Sequence, residues 1–146
     1  MTVSLSAGEV AKQITEHFPE AVTEANGQAV VVKKESLFEV SEYLKSSPEL
    51  DFDYLTSITA VDYYDYFELI YQLTSLKHNH SLVMKTRCYH QDNPVLPSVV
   101  SLWRGADFQE REIYDLMGIG FEGHPNLKRI VLWQGFEGHP LRKNYL

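Results

Sequence analysis

The residues best equipped for chemistry lie in the last third of the chain. The pentapeptide Phe-Glu-Gly-His-Pro stands twice, at 121–125 and at 136–140, and supplies His124 and His139. Paired histidines hold metals or carry protons. A zinc site, however, needs further ligands and usually a short local spacing, and no HxH or HxxxH pattern joins these two. His78 and His80 do form an HxH pair, which on a strand would face one side; the surrounding Lys-His-Asn-His reads as a turn. Upstream, "EREIYDL" offers Glu110, Glu112 and Asp115, which as paired carboxylates could do acid–base work. The spacing fits a plainer reading better. Arg111 and Asp115 stand at i, i+4 and can pair along a solvated helix face, each such pair worth well under about 1 kcal/mol. A small metal-dependent or acid–base enzyme built on His124, His139 and Glu110 is the rival reading.

A backbone reading of Gly-His-Pro is stronger. Glycine permits positive φ. Proline fixes its own φ and drives the preceding histidine towards extended conformations. Each motif therefore predicts a bend leading into an extended segment, with the histidine free to brace it by hydrogen bonds. A basic pair follows each bend, Lys128-Arg129 and Arg142-Lys143. Such a tail buries little against itself and is expected to need another surface to become ordered. Other chemistry finds no footing. "GIGFEG" follows a helix rather than opening one, so it is no phosphate loop. The single cysteine, Cys88, cannot form an internal disulfide or a multi-thiolate metal site. No serine stands in a nucleophile elbow.

The elements that must position these residues follow from periodicity. Val10, Ile14 and Phe18 mark a first helix over 5–17, with Ser6 and Glu9 as a capping box. Val22 and the run 29–32 flank Asn26-Gly27 as a hairpin. Leu37, Val40, Tyr43 and Leu44 mark a second helix over 36–46, with Ser36 and Glu39 as its cap. "YLTSITAVDYY", "YFELIYQLTSL" and "SLVMKTRCYH" read as an antiparallel meander with one covered face. Tyr63, Tyr64 and Tyr66 flank its first turn. "SVVSLW" reads as a short helix. "ADFQEREIYDLMG" reads as a third long one, capped by Asp107 with Glu110 completing the box and Gly118 at the left-handed C′ position. Beyond it only 129–133 suggests a strand. The fold class is α+β, an antiparallel or mixed sheet flanked by helices. Residues 1–118 form the domain and 119–146 an extended, irregular C-terminal docking tail.

The chain has 146 residues and a net charge of −7, which argues against nucleic acid as a partner. Residues 1–75 carry thirteen acids and four bases, whereas 76–146 carry seven and nine. A basic, aromatic tail on an acidic domain points weakly to docking. No apolar run is long enough to span a membrane, and the N-terminus lacks the pattern of a signal peptide, so an intracellular protein is expected.

The stretch 110–145 closely resembles one family, the Nuo-type 30 kDa (C-type) subunit of the proton-pumping NADH:quinone oxidoreductase, respiratory complex I. The residues that carry the resemblance are Glu110-Arg111-Glu112, Tyr114-Asp115, Gly118-Ile119, 121–125, Leu127 with Arg129, and 138–143. Asn144 stands where that family usually has aspartate. The resemblance implies a structural subunit without a catalytic centre, in the hydrophilic arm of a membrane complex, peripheral on the cytoplasmic side. It implies docking on the D-type, quinone-site subunit and on neighbouring hydrophilic-arm subunits, with no direct membrane span. NADH, flavin, iron–sulfur clusters and quinone would belong to other subunits. The expected interface is Glu110, Arg111, Asp115, His124, Pro125, Arg129, His139, Pro140, Arg142 and Lys143. The equivalent subunit of a membrane-bound hydrogenase or of a quinone reductase fed by another donor is the alternative.

Overall fold

Alternation of residue type along the strands decides the layers. In Phe67–Ser75 the side chains of Phe67, Leu69, Tyr71 and Leu73 are fully buried, while Gln72, between them, is exposed. Period-two alternation of this kind is that of a strand with one covered face. A computed structural model describes residues 2–27, 29–89, 94–127 and 138–142. Their order is β1 (Val3–Ser4), α1 (Ala7–His17), β2 (Val22–Asn26), β3 (Ala29–Lys33), α2 (Leu37–Ser46), β4 (Tyr54–Asp62), β5 (Phe67–Ser75), β6 (His80–Cys88), β7 (Val95–Pro97), α3 (Ala106–Met117) and β8 (Gly120–Glu122).

The main sheet runs β2-β3-β6-β5-β4, and β1 pairs with the start of β6. The expected meander is present: β4, β5 and β6 are antiparallel neighbours. The sheet is mixed because β3 joins β6 in parallel, placing Ala29 to Lys33 beside Val83 to Arg87. The expected hairpin forms, with its turn one residue later than expected: Asn26 ends β2 paired with Ala29, and Gly27 follows it at φ +57°. The buried sides of the three helices pack into the same core as the inner sheet face, through Ile14, Leu44 and Ile113 among others. On the other face Glu68 is held by Arg87 at 3.1 Å and Lys85 at 3.6 Å. The edge strand β4 is covered by α3, where Gln109 Oε1 accepts the Ile58 N–H in place of a neighbouring strand.

Several local expectations are corrected. Val99 to Trp103 form turns, not a helix: the Leu102 and Trp103 N–H groups both donate to the Val99 carbonyl, and the pattern then stops. Neither Ser6 nor Ser36 makes a side-chain cap bond. The cap position of α3 is Gly105, and Asp107 lies in the first turn. A pairing hidden from periodicity adds a second, two-stranded sheet: β7 and β8 run parallel, Leu96 beside Phe121. The expected tail thus begins inside the core, where Ile119 is fully buried and Phe121 nearly so. The strand expected at 129–133 lies outside the described residues.

Candidate functional site

The two Gly-His-Pro motifs meet the same helix, at opposite ends. Gly123 and Gly138 stand at φ +88° and +89°, so the repeated sequence does repeat its bend. At the first bend the Asn126 N–H donates to His124 Nδ1 at 2.9 Å. That nitrogen is therefore the acceptor and the proton sits on Nε2. Nε2 donates to the Asp107 carbonyl at 3.2 Å, with the Asp107 carboxylate 3.1 Å away. That carboxylate oxygen is close but poorly aligned, and it accepts no hydrogen bond among the described residues. The His124 side chain has no exposed surface.

At the second bend the tautomer is the other one: His139 Nδ1 donates to the Asp115 carbonyl at 2.9 Å. The segment 138–142 then completes the C-terminus of α3. A helix leaves its last four carbonyls without intrahelical partners. Here the Tyr114 carbonyl accepts from the Gly118 N–H, Asp115 from His139, Leu116 from the Leu141 N–H at 2.9 Å, and Met117 from Arg142 Nε. Arg142 also places a positive charge at the negative end of the helix dipole and lies 5.4 Å over the Phe67 ring of β5. Gly118 takes the left-handed φ of +75° that a C-terminal stop requires. A side chain there would collide, since a Cβ would lie 2.6 Å from His139 Cδ2 and 2.8 Å from Arg142 Nη2.

This geometry separates the histidines. Asp107 and Asp115 are eight residues apart, about 12 Å along the axis, so the rings that grip them cannot share one metal ion. The other histidine pair is also braced on backbone: His78 Nε2 donates to the Pro48 carbonyl at 2.8 Å and His80 Nε2 to that of Leu50 at 2.6 Å.

The solvated-face reading of Glu110, Glu112 and Asp115 on α3 is overturned at two of the three. Glu112 is exposed, but Glu110 and Asp115 are fully buried. Glu110 does not close a capping box. One oxygen accepts the Ser98 hydroxyl at 2.6 Å and the other the Val99 N–H at 2.9 Å. Burial pushes its carboxyl up to about 7, against the lowering effect of those two bonds, and the neighbouring Asp107 charge adds to the rise. The Tyr71 phenol beneath it has no hydrogen-bond partner among the described residues; burial first, then the Glu110 charge, raises its pKa well above the usual value. Arg111 lies over the ring of Phe108 at 5.4 Å.

Of the expected interface residues, Glu110, Arg111 and Asp115 lie on α3, His124 and Pro125 at its first turn, and His139, Pro140 and Arg142 at its last. Arg129 and Lys143 lie outside the described residues. What the sequence did not signal is the apolar surface beside them. Phe108 is 64% exposed and Leu141 60%. Leu141 borders a cleft of about 240 Å³ between β4 and α3, which Ala60, Ile113 and Leu116 also line.

Comparison with known proteins matches residues 30–146 to the family described as "Respiratory-chain NADH dehydrogenase, 30 Kd subunit". The NADH-quinone oxidoreductase C-type subunit 2 of Rhizobium meliloti (strain 1021) is 43% identical over 120 residues, which are 80% of this chain and 65% of that one. This chain therefore spans just under two thirds of that relative's length. The C-type subunit of the F(420)H(2) dehydrogenase of Methanosarcina mazei is 40% identical over 88% of this chain and 84% of its own. Among solved structures, a chain of the membrane-bound sulfane sulfur reductase, an archaeal respiratory membrane complex, superposes with a TM-score of 0.76 and 26% identity. That superposition covers 94% of this chain and 84% of the other.

Proposed function

The chain belongs to the respiratory-chain NADH dehydrogenase 30 Kd subunit family, and from that membership we propose that it is a non-catalytic structural subunit of a complex I-like respiratory assembly. It sits in the peripheral arm, on the cytoplasmic side of the membrane, docked on the D-type, quinone-site subunit. Among the described residues no helix is long and apolar enough to cross a membrane, which fits a peripheral place. NADH, flavin, iron–sulfur clusters and quinone are carried by other subunits.

The observation that carries this reading is the capped end of α3. The residues that mark the family there brace backbone: His139 and Arg142 close the helix, and Gly118 makes room for them. The capped end of α3 thereby carries the exposed Leu141, while the exposed Phe108 stands in the first turn of the same helix, so α3 offers a large apolar side chain near each end. The role in electron transfer is indirect. The subunit holds its partner in register, and positioning errors of about 1 Å are costly in such machinery.

The test is to purify the tagged full-length chain from native membranes after mild solubilisation and identify what accompanies it. Recovery of the quinone-site subunit, reduced at least tenfold by Phe108→Asp or Leu141→Asp, is expected. Recovery of the chain alone, or unchanged recovery with both variants, overturns the docking surface. Deleting 119–146 would be a poorer test, because it removes buried Ile119 and Phe121. A second reading keeps the role and changes the donor: the Methanosarcina mazei relative is named for F(420)H(2), and the superposed structure for sulfane sulfur. A membrane-bound hydrogenase or a quinone reductase fed by another donor fits the same subunit. The other subunits recovered in that purification decide among these.

A further inference from the structure

Glu110 is a carboxylate with no exposed surface whose two oxygens bind one short segment, Ser98 and Val99. Among the described residues no cation offsets its charge. The neighbouring charge that acts on it is another carboxylate, Asp107, whose own neighbour His124 is held as the Nε2-protonated, neutral ring. From β5 it faces the Tyr71 phenol, which has no hydrogen-bond partner among the described residues. The bound segment is anchored by different groups at its two ends. Its far end is tied by the Trp103 indole N–H to the Phe52 carbonyl at 2.9 Å and by Lys45 Nζ to the Leu102 carbonyl at 2.6 Å. Its near end is held from outside the turn by Glu110 and by one backbone bond, from the Ser98 N–H to the Glu122 carbonyl; within the turn the Val99 carbonyl accepts the Leu102 and Trp103 N–H groups, and the Val99 side chain is buried. A surface cavity of about 320 Å³, bordered by Phe38, Ser98, Ser101 and Gly123, lies beside that near end and leaves it room to move.

We propose that Glu110 is a proton-sensing latch on the near end of this turn: protonated it keeps Ser98 and Val99 seated on α3, and ionised it favours their release and its own exposure to water. The sign follows from linkage. A buried carboxylate without a counter-charge binds its proton more tightly in the closed turn than in an open one where water solvates it. Rising pH therefore opens the turn. The titration falls near neutrality, with the carboxyl held at about 7 in the closed form. In the closed neutral form the protonated carboxyl donates to Ser98 Oγ while its other oxygen still accepts the Val99 N–H. Because Ser98 bonds Glu122, one residue before the first Gly-His-Pro, opening is transmitted to that bend. The latch does not depend on the assembly proposed above and is testable on the chain by itself.

The experiment is amide hydrogen exchange by NMR on the full-length chain between about pH 5.5 and 8.5, corrected for intrinsic exchange. Protection at Val99 and Val100 is expected to fall at least tenfold as pH rises through neutrality, while amides of β5 and β6 keep theirs. Glu110→Gln presents an amide oxygen to Val99 and an amide N–H to Ser98, and it should hold protection constant. Flat protection in the native chain, or the same pH response in Glu110→Gln, overturns the latch. Should that variant fail to fold, the ¹³C shift of the Glu110 carboxyl in the native chain serves instead. A midpoint near neutrality that coincides with the loss of protection is expected, and an ordinary carboxylate midpoint overturns the proposal.

Discussion

Gly118→Ala is expected to destabilise the chain by roughly 4.5–7 kcal/mol. An L-residue in the left-handed region costs roughly 1–2 kcal/mol, and Gly118 stands at φ +75°. The new methyl would also lie within 3 Å of both His139 and Arg142. The arginine tip can swing aside, but the imidazole ring is fixed by its bond to Asp115. Segment 138–142 must then lift, releasing the neutral bonds from His139 and Leu141, at about 1 kcal/mol each, and the charged one from Arg142, at about 1.5–3 kcal/mol. Gly123→Ala is the control. It meets the same backbone penalty at φ +88°, with nothing within 4 Å of the added carbon, so about 1–2 kcal/mol is expected. Urea unfolding of the two variants measures the difference, provided the slope against denaturant stays constant. Tryptic cleavage after Arg142, shielded by the cap in the native chain, should accelerate in Gly118→Ala only. If the two variants differ by less than about 1 kcal/mol and cleavage is unchanged, segment 138–142 is not held at the helix end and the capping argument fails.

Other outcomes follow from the same geometry. Glu110 has a folded pKa raised to about 7. Its contribution to stability is therefore fully present below the unfolded value near 4.5 and is lost as pH rises through 7. This amounts to about 3 kcal/mol, visible as a decline in denaturation midpoint that Glu110→Gln removes. Trp103→Phe leaves the Phe52 carbonyl without its indole donor and should cost about 1–3 kcal/mol in thermal or urea unfolding. Gln109→Ala uncovers the Ile58 N–H on the edge strand; a loss of about 1 kcal/mol is expected, with faster aggregation by light scattering.

Much of the fold was legible because its signals are local. Helical spacing located α1, α2 and α3, alternation located β4 to β6, and Asn26-Gly27 located a hairpin. Gly118 announced the end of α3 from its place just past the last apolar residue. The β7–β8 pair was not legible. Each strand is only three residues long, one of them includes Pro97, and about two dozen residues separate their starts, so neither displays a period. The burial of Glu110 was equally hidden. A glutamate in "EREIYDL" looks like a solvated charge until Ser98 and Val99, contributed by a turn before the helix, fold over it.

The amino-acid sequence alone determined what the backbone could do at the doubled pentapeptide. A glycine before histidine-proline can turn left-handed, and both copies turn to within a degree of each other, at +88° and +89°. It could not determine what each histidine would hold. Imidazole donates from either nitrogen, and the choice depends on which groups the rest of the fold brings near. His124 meets the first turn of α3 with its Nε2 proton, and His139 meets the last with its Nδ1 proton. Those helix carbonyls lie 17 and 24 residues away along the chain. Only the packing of α3 against the sheet brings them within reach and turns two equal bends into a brace at one helix end and a cap at the other.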